Sequence, residues 1–221
     1  MNNNILVIVA HPDDEILGCG GTIVKHVSQG DNVTVCIVCE GESHRKISQD
    51  NGGFIEEAAR ILGVSITMHL KFPDQKLDTI PLVDIVSKLE DIVNQYRPKI
   101  VYSHFKGDIN KDHQIVFDAM LVATRPMLSY IRSIYAFNTS SSTEWGYPRS
   151  FIPDTWIDIS EYIDIKLEAM KCYKTEVEEY PHPRSIKALR NKATAEGNQC
   201  LMEKAETFMT IRRCIRSNDR L

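Results

Sequence analysis

The sequence predicts one α/β domain over residues 1–221, with a Rossmann-like, mostly parallel sheet and helices on both faces. Short continuous apolar runs, typical of strands buried on both sides, alternate with longer stretches whose apolar residues recur at helical spacing. Parallel strands joined through helices require right-handed crossovers, which build this type of sheet. Neither an internal repeat nor a linker-like change of composition divides the sequence, so a single domain is expected.

The apolar runs predict five strands, and the periodic stretches predict six helices. The predicted strands cover residues 5–9, 33–39, 64–70, 100–103 and 133–138. One predicted helix begins at residue 14, and the other five cover residues 54–62, 82–96, 113–124, 163–173 and 185–196. Residues 139–155 are rich in Ser, Thr, Pro and Gly and predict an irregular loop, whereas 205–215 fits either a helix or a strand.

Composition and charge exclude several classes of function. With 26 Lys and Arg against 30 Asp and Glu, the net charge of -4 argues against a general nucleic-acid binder. The first apolar run lacks the basic flank and the length of a signal peptide. Since no stretch approaches the roughly 20 apolar residues that cross a bilayer, we expect a cytoplasmic protein that does not insert into membranes. Its six cysteines are then expected to be reduced.

One C-x-x-C pattern, Cys36 to Cys39, superficially resembles a redox or zinc motif. It lies inside an apolar run that predicts a strand, where residues three apart point to opposite faces. Two buried thiols are therefore the preferred interpretation.

Three polar clusters follow predicted strands, at residues 11–15, 40–45 and 104–113. Ligands of open parallel sheets bind at the carboxyl ends of the strands. We therefore expect the three clusters to lie together and to form the functional site.

The first cluster, Ala10-His11-Pro12-Asp13-Asp14-Glu15, predicts a metal site. Histidine nitrogen and aspartate oxygen are both zinc ligands, and a His and an Asp three residues apart can face one point across a strand-to-helix turn. Helix capping by Asp13, supported by the charges of Asp14 and Glu15, is the alternative. The preceding His11 favours the metal, because capping requires no histidine.

A catalytic zinc site needs a third protein ligand and an open fourth position. His113, at the start of the helix after the fourth strand, is the best-placed histidine, and His104 at the end of that strand is the next candidate. The other histidines in the sequence are His26, His44, His69 and His182.

The first cluster, a glycine-containing helix after it and the later pair Asp112-His113 resemble the PIG-L/LmbE-like family of zinc N-deacetylases. The resemblance covers most of the chain as an order of elements. It implies that His11, Asp14 and His113 bind zinc and that Asp13 is the general base for the attacking water. It also implies a small N-acetylated amino sugar as substrate, in free, nucleotide-linked, lipid-linked or glycan-precursor form. Fe²⁺, Mn²⁺ or Co²⁺ would also accept these ligands.

The second motif, residues 110–113 around the pair Asp112-His113, departs from the pattern of that family, which often reads His-x-Asp-His at this place. Asn110 occupies the position of the first histidine of that pattern, which in the family helps to stabilise the oxyanion formed from the amide carbonyl. The amide of Asn110 can donate a hydrogen bond but cannot carry a positive charge. Asp112 is expected to orient a histidine. His182, in a proline-flanked segment, is the candidate replacement for the missing donor, although a structural loop explains the segment equally well.

Three further residues are candidates for substrate binding. Arg184 would bind an anionic group of the substrate, such as a phosphate or a carboxylate. Arg45 follows the second strand and would line the pocket, with a solvated charged loop as the alternative. Trp145 would stack on a sugar face, with core packing as the alternative. The sequence leaves open whether the protein forms a homo-oligomer.

Two other functions compete with deacetylation. Phosphoryl-transfer and receiver-like α/β domains bind Mg²⁺ through acidic residues after the first strand, but Mg²⁺ prefers oxygen to imidazole, and no acceptor Asp ends another predicted strand. A catalytically inactive, sugar-binding descendant of the deacetylase fold is suggested by Asn110.

Overall fold

The fold is built on one mixed sheet of seven strands, in the order β3-β2-β1-β4-β5-β7-β6. It is taken from a computed structural model that describes residues 2–41 and 51–217. The strands are β1 Asn4–Val9, β2 Asn32–Cys39, β3 Ile66–Phe72, β4 Ile100–His104, β5 Ser133–Phe137, β6 Thr155–Asp158 and β7 Ala205–Arg213. The helices are α1 Asp14–Ser28, α2 Asn51–Leu62, α3 Leu82–Tyr96, α4 Lys111–Ala123, α5 Ile163–Met170 and α6 Ile186–Asn198, with short 3₁₀ helices at Leu77–Thr79 and Thr143–Trp145.

Strands β1 to β5 pair in parallel, which confirms the predicted mostly parallel sheet. Strand β7 pairs antiparallel with both β5 and β6. Of the two predicted possibilities for residues 205–215, helix or strand, the strand is therefore correct. Strand β6 begins at the last residue of the predicted loop 139–155 and was not predicted. Its four residues are too few for an alternating pattern to emerge.

Side chains of β1 alternate between two hydrophobic cores. Ile5 and Val7 face the core formed with α1, α2, α5 and α6, whereas Leu6 and Ile8 face the core formed with α3 and α4. Both faces of the sheet are therefore covered by helices, as the continuous apolar run of β1 predicts. In the described part of the chain, no helix has the length and apolar character needed to span a bilayer.

Cys36 and Cys39 are both fully buried, as expected, but they lie on the same face of the sheet. The prediction of opposite faces was wrong because the pairing of β2 with β3 shifts register between Ile37 and Cys39. Such an irregularity interrupts the strict alternation of side chains along a strand. It turns Cys39 toward the α3 and α4 side of the sheet.

The order of the strands determines where the site lies. Strand β1 sits between β2 and β4, so the chain leaves β1 at the point where the strand order reverses. The carboxyl ends of β1 and β4 meet there, which places the loop after Val9 beside the loop after His104.

Two glycines allow α1 to pack directly against the sheet and against the loop after β6. A Cβ atom at Gly18 would lie 2.2 Å from Cδ2 of Phe137, and one at Gly21 would lie 2.8 Å from Cβ of Ile159. Gly18→Ala is therefore expected to lower the free energy of unfolding by about 1–3 kcal/mol through overpacking. Chemical denaturation would measure this.

Gly53→Ala is the matched control, because a Cβ atom at Gly53 of α2 would meet nothing within 4 Å. This change is expected to leave stability unchanged or to raise it by up to about 1 kcal/mol, since Ala favours helix. Equal stability of the two variants would contradict the packing argument.

Candidate metal centre

Three side chains from two loops point at one position beyond the carboxyl ends of β1 and β4. Nδ1 of His11 lies 3.2 Å from Oδ2 of Asp14. Nε2 of His113 lies 3.3 Å from that same oxygen and 3.3 Å from Nδ1 of His11. The three atoms thus form a nearly equilateral triangle. Tetrahedral zinc with bonds of 2.0–2.1 Å places its nitrogen and oxygen ligands about 3.3–3.4 Å apart, so these residues fit one such ion with a fourth position open.

The electrostatics of the triangle also favour a cation. Burial opposes protonation of His113, but the charges of Asp14 and Asp108 raise its pKa to about 9. Burial likewise opposes protonation of His11, yet hydrogen bonding to Asp112, Asp14 and Asp74 raises its pKa well above the usual range. The raised pKa of both imidazoles indicates a region of negative potential, which a divalent ion would neutralise.

Each imidazole is oriented by carboxylates on its other nitrogen. Nε2 of His11 lies 3.1 Å from Oδ1 of Asp74 and 3.3 Å from Oδ2 of Asp112. Nδ1 of His113 lies 3.2 Å from Oδ1 of Asp108. Metal-binding histidines usually face a carboxylate or carbonyl in this way, which fixes the tautomer. Asp112 therefore lies where it can orient His11, which keeps its orienting role as a prediction.

Two of these carboxylates, those of Asp74 and Asp108, were not predicted from the sequence. Asp108 accepts hydrogen bonds from the hydroxyls of Ser142 and Thr143, the second at 2.6 Å. Asp112 accepts from the main-chain N–H groups of Gln75 at 2.8 Å and Leu77 at 3.2 Å. The position of Asp108, five residues before His113 in the sequence, was the one signal from which its role could have been predicted. A ligand histidine needs an acceptor that orients it.

His104, the second candidate for the third ligand, is fully buried, and its Nε2 lies 3.4 Å from Oδ2 of Asp14 but is already occupied by a main-chain donor. Its Nε2 accepts a hydrogen bond from the N–H of Ala10 at 2.8 Å, and its Nδ1 lies 3.2 Å from Oγ1 of Thr139. Burial, assisted by the charge of His113, lowers its pKa to about 3. Its ring stacks on His113 with centroids 3.9 Å apart. The geometry thus favours His113 as ligand and gives His104 a supporting position.

Asp13 is held in a strained conformation at the start of α1. Its φ of 97° lies in the left-handed region, and its side chain makes no capping hydrogen bond, so the capping alternative was wrong. Oε2 of Glu15 accepts from the N–H of Asp13 at 3.1 Å, and the hydroxyl of Tyr173 donates to Oε1 of Glu15 at 2.9 Å. Strain of this kind costs about 1–3 kcal/mol and is concentrated at functional sites.

The carboxylate of Asp13, the residue before the triangle's Asp14, is buried. Its Oδ2 has no hydrogen-bond partner among the described residues and lies 3.6 Å from a guanidinium nitrogen of Arg184. Burial, with the charges of Asp14 and Glu176, raises the pKa of Asp13 well above its usual range, and Arg184 opposes that shift. A carboxyl with an elevated pKa is suited to both accepting and returning a proton.

A cavity of about 390 Å³ opens in front of the triangle. Of the residues predicted for the site, Asp112 lies behind the cavity wall, and Arg45 falls outside the described residues. The remaining eight line the cavity together: His11, Asp13, Asp14, Asn110, His113, Trp145, His182 and Arg184.

The two candidate oxyanion donors differ in what their side chains already contact. Oδ1 of Asn110 caps α4 by accepting from the N–H of Asp112 at 2.9 Å, so only its Nδ2 could donate to a substrate. Nδ1 of His182 accepts from the N–H of Arg184 at 3.2 Å, which leaves the proton of the neutral ring on Nε2. The ring of His182 packs edge-on against Trp145, which is 48% exposed.

Arg184 is already paired with protein carboxylates. One of its guanidinium nitrogens donates to Glu176 and lies 3.6 Å from Asp13. One guanidinium nitrogen of Arg184 thus lies between two carboxylates of the protein, at the edge of the chemistry expected of Asp13. Binding of an anionic group of the substrate by Arg184 stays a prediction.

Comparison with known proteins identifies the family. The family model described as PIG-L, GlcNAc-PI de-N-acetylase, matches residues 6–124. The chain belongs to the PIG-L family. The matched region contains the triangle and both of its loops. The phosphoryl-transfer alternative gains no support from this family.

The PIG-L assignment agrees with individual relatives. An Escherichia coli K12 protein described as an uncharacterized deacetylase, YaiS, is 33% identical, with 77% of this chain and 90% of that protein covered. Diacetylchitobiose deacetylase of Thermococcus kodakarensis is 24% identical, with 79% and 70% covered. The crystal structure of GalB, a 4-carboxy-2-hydroxymuconate hydratase of Pseudomonas putida KT2440, superposes with a TM-score of 0.76 at 22% identity, covering all of both chains. That likeness concerns the fold alone.

Proposed function

We propose that this PIG-L protein is a metal-dependent N-deacetylase that removes the acetyl group from an N-acetylated amino sugar. The observation that carries the proposal is the triangle of His11, Asp14 and His113, which shares one cavity with the carboxylate of Asp13. The family description and the deacetylase relatives agree with it. Because the same fold occurs in a hydratase, the proposed activity follows from the residues of the site and not from the fold.

Two imidazole nitrogens and one carboxylate oxygen are a typical ligand set for catalytic zinc. Fe²⁺, Co²⁺ or Mn²⁺ would also fit the set. When bound, such an ion polarises the amide carbonyl and lowers the pKa of water to about 7.

Asp13 is the proposed general base. Its carboxylate accepts a proton from the water that attacks the amide carbon, and the carboxyl then returns the proton to the departing amine nitrogen. Arg184, 3.6 Å from Oδ2, keeps Asp13 oriented and partly offsets the negative charge around it. Tyr173 and Glu15 hold the strained backbone that aims the carboxylate into the cavity.

His182 is the proposed donor to the oxyanion, through Nε2. His182→Ala is expected to lower kcat by about 10²–10³-fold, the effect of losing one oxyanion donor, with a smaller change in KM. Steady-state acetate release measures both constants.

Asn110→Ser is the comparison variant, because serine also caps helices but lacks the amide donor. It is expected to keep most of the activity. A large loss of kcat in this variant, with His182→Ala close to wild type, would transfer the role to Asn110.

The substrate is proposed to be an amino sugar whose ring stacks against Trp145 near the mouth of the cavity. The decisive experiment removes metal with a chelator, restores one equivalent of Zn²⁺, and measures acetate release from N-acetylglucosamine and N,N'-diacetylchitobiose. Nucleotide-linked and lipid-linked N-acetyl sugars complete the substrate panel. Acetate release only after metal is restored supports the proposal. Bound zinc without acetate from any of these compounds would favour the sugar-binding alternative.

A further inference from the structure

Behind the candidate metal centre, the far side of His11 faces a second group of ligand atoms. Ligand atoms of His11, Cys39 and Asp112 all lie within 4.8 Å of one another, and Oδ2 of Asp112 is the oxygen near both Nε2 of His11 and Sγ of Cys39. Oδ1 of Asp74 lies 3.1 Å from the same imidazole nitrogen. These four residues form the Cys39 cluster. No proposed catalytic role uses Cys39.

The distances within the Cys39 cluster suit a small cation with mixed ligands. A tetrahedral zinc ion with a sulfur ligand at about 2.3 Å and an oxygen ligand at 2.0–2.2 Å separates the two by about 3.5–3.7 Å. Sγ of Cys39 lies 3.7 Å from Oδ2 of Asp112. Nε2 of His11 lies 3.3 Å from that oxygen, close to the nitrogen–oxygen separation around the same ion.

The charges of the cluster favour a cation as well. Among the described residues, the donors to Asp112 and Asp74 from outside the cluster are neutral groups of Gln75 and Leu77. When His11 serves as a neutral ligand of the first ion, two carboxylates share its single N–H. Cys39 and Asp112 are buried, but His11, Asp74 and Gln75 line the cavity, so an ion can enter from that side.

We propose that the Cys39 cluster is a second, inhibitory site for thiophilic divalent cations such as excess Zn²⁺ or Cd²⁺. Binding forms a metal–sulfur bond and releases the thiol proton of Cys39 and the Nε2 proton of His11 to solvent. His11 is then shared between two cations, which weakens its bond to the first. Mg²⁺, a hard cation that avoids thiolate, does not occupy the cluster. The inhibition rests on the proposed function, whereas the site itself does not.

The test of the site measures metal binding and needs no substrate. The background protein carries Cys172→Ser, Cys200→Ser and Cys214→Ser, because these three cysteines are at least partly exposed and would bind Cd²⁺ themselves. After loading with one equivalent of Zn²⁺, the protein is titrated with Cd²⁺ while the ultraviolet charge-transfer band of cadmium thiolate is followed. Cys39→Ser is compared with Cys36→Ser, the same change at a buried cysteine three residues earlier on β2.

The background protein and the Cys36→Ser variant are expected to take up Cd²⁺ with a thiolate band, and Cys39→Ser is expected to show no band. A band that persists in Cys39→Ser, or one that is absent from the background protein, would overturn the proposed site.

The second arm measures inhibition of acetate release by excess Zn²⁺, relative to each variant's own rate with one equivalent. Cys39→Ser is expected to raise the inhibitory Zn²⁺ concentration by about 10-fold or more, whereas Cys36→Ser leaves it unchanged. Equal inhibition of the two variants would overturn the inhibitory role. Because the cadmium titration does not require activity, failure of the deacetylase proposal would leave the site testable.

Discussion

Asp13→Asn is expected to lower kcat by about 10²–10⁴-fold, the usual contribution of a general base, without loss of bound metal. Asparagine has the shape of aspartate but cannot accept the proton of the attacking water. It is also better tolerated than most residues at positive φ, so the strained backbone of position 13 is retained. Acetate release gives kcat, and elemental analysis gives the metal content.

Asp14→Asn is the matched control, one residue further along α1. The carboxylate of Asp14 is part of the triangle, so its loss is expected to reduce both metal content and activity. The two variants would thus distinguish the role of Asp13 as a base from that of Asp14 as a metal ligand. Full activity of Asp13→Asn with normal metal content would show that the proposed base is wrong.

The placement of the site was predictable because it depends on the order of elements. Buried apolar runs identified β1 and β4, and parallel strands bring their carboxyl ends to one edge of a sheet. His11 and His113, 102 positions apart in sequence, were therefore expected to meet, and their ring nitrogens lie 3.3 Å apart. The type of residue and its position after a strand were sufficient for this inference.

The surroundings of the ligands were not predictable, because they depend on contacts between segments with no periodic signal. Asp74 reaches His11 from the loop after β3, and the hydroxyls of Ser142 and Thr143, at the start of the second 3₁₀ helix, reach Asp108. Likewise, the register shift in β2 that turns Cys39 toward Asp112 leaves no mark on an apolar sequence. Arg184 was predicted to face the cavity, but its pairing with Glu176 requires the three-dimensional fold.

His113→Ala is expected to reduce metal affinity by at least about 100-fold and to remove nearly all turnover, because two ligands remain in place of three. His26→Ala is the control, since His26 pairs with Asp31 and Tyr102 away from the cavity. It is expected to keep both metal and activity. Titration of the chelated protein with Zn²⁺ measures the affinity.

Stability and rescue measurements separate loss of the ligand from misfolding. Free Zn²⁺ at 100 times its Kd should stabilise the wild-type protein by about 2.7 kcal/mol, and this gain should disappear in His113→Ala. Added imidazole can enter the space left by the removed ring and is expected to restore part of the activity, because it returns the missing nitrogen ligand. A misfolded variant would not respond to imidazole. A His113→Ala variant that still binds Zn²⁺ with wild-type affinity would remove His113 from the triangle and, with it, the geometric basis of the proposed function.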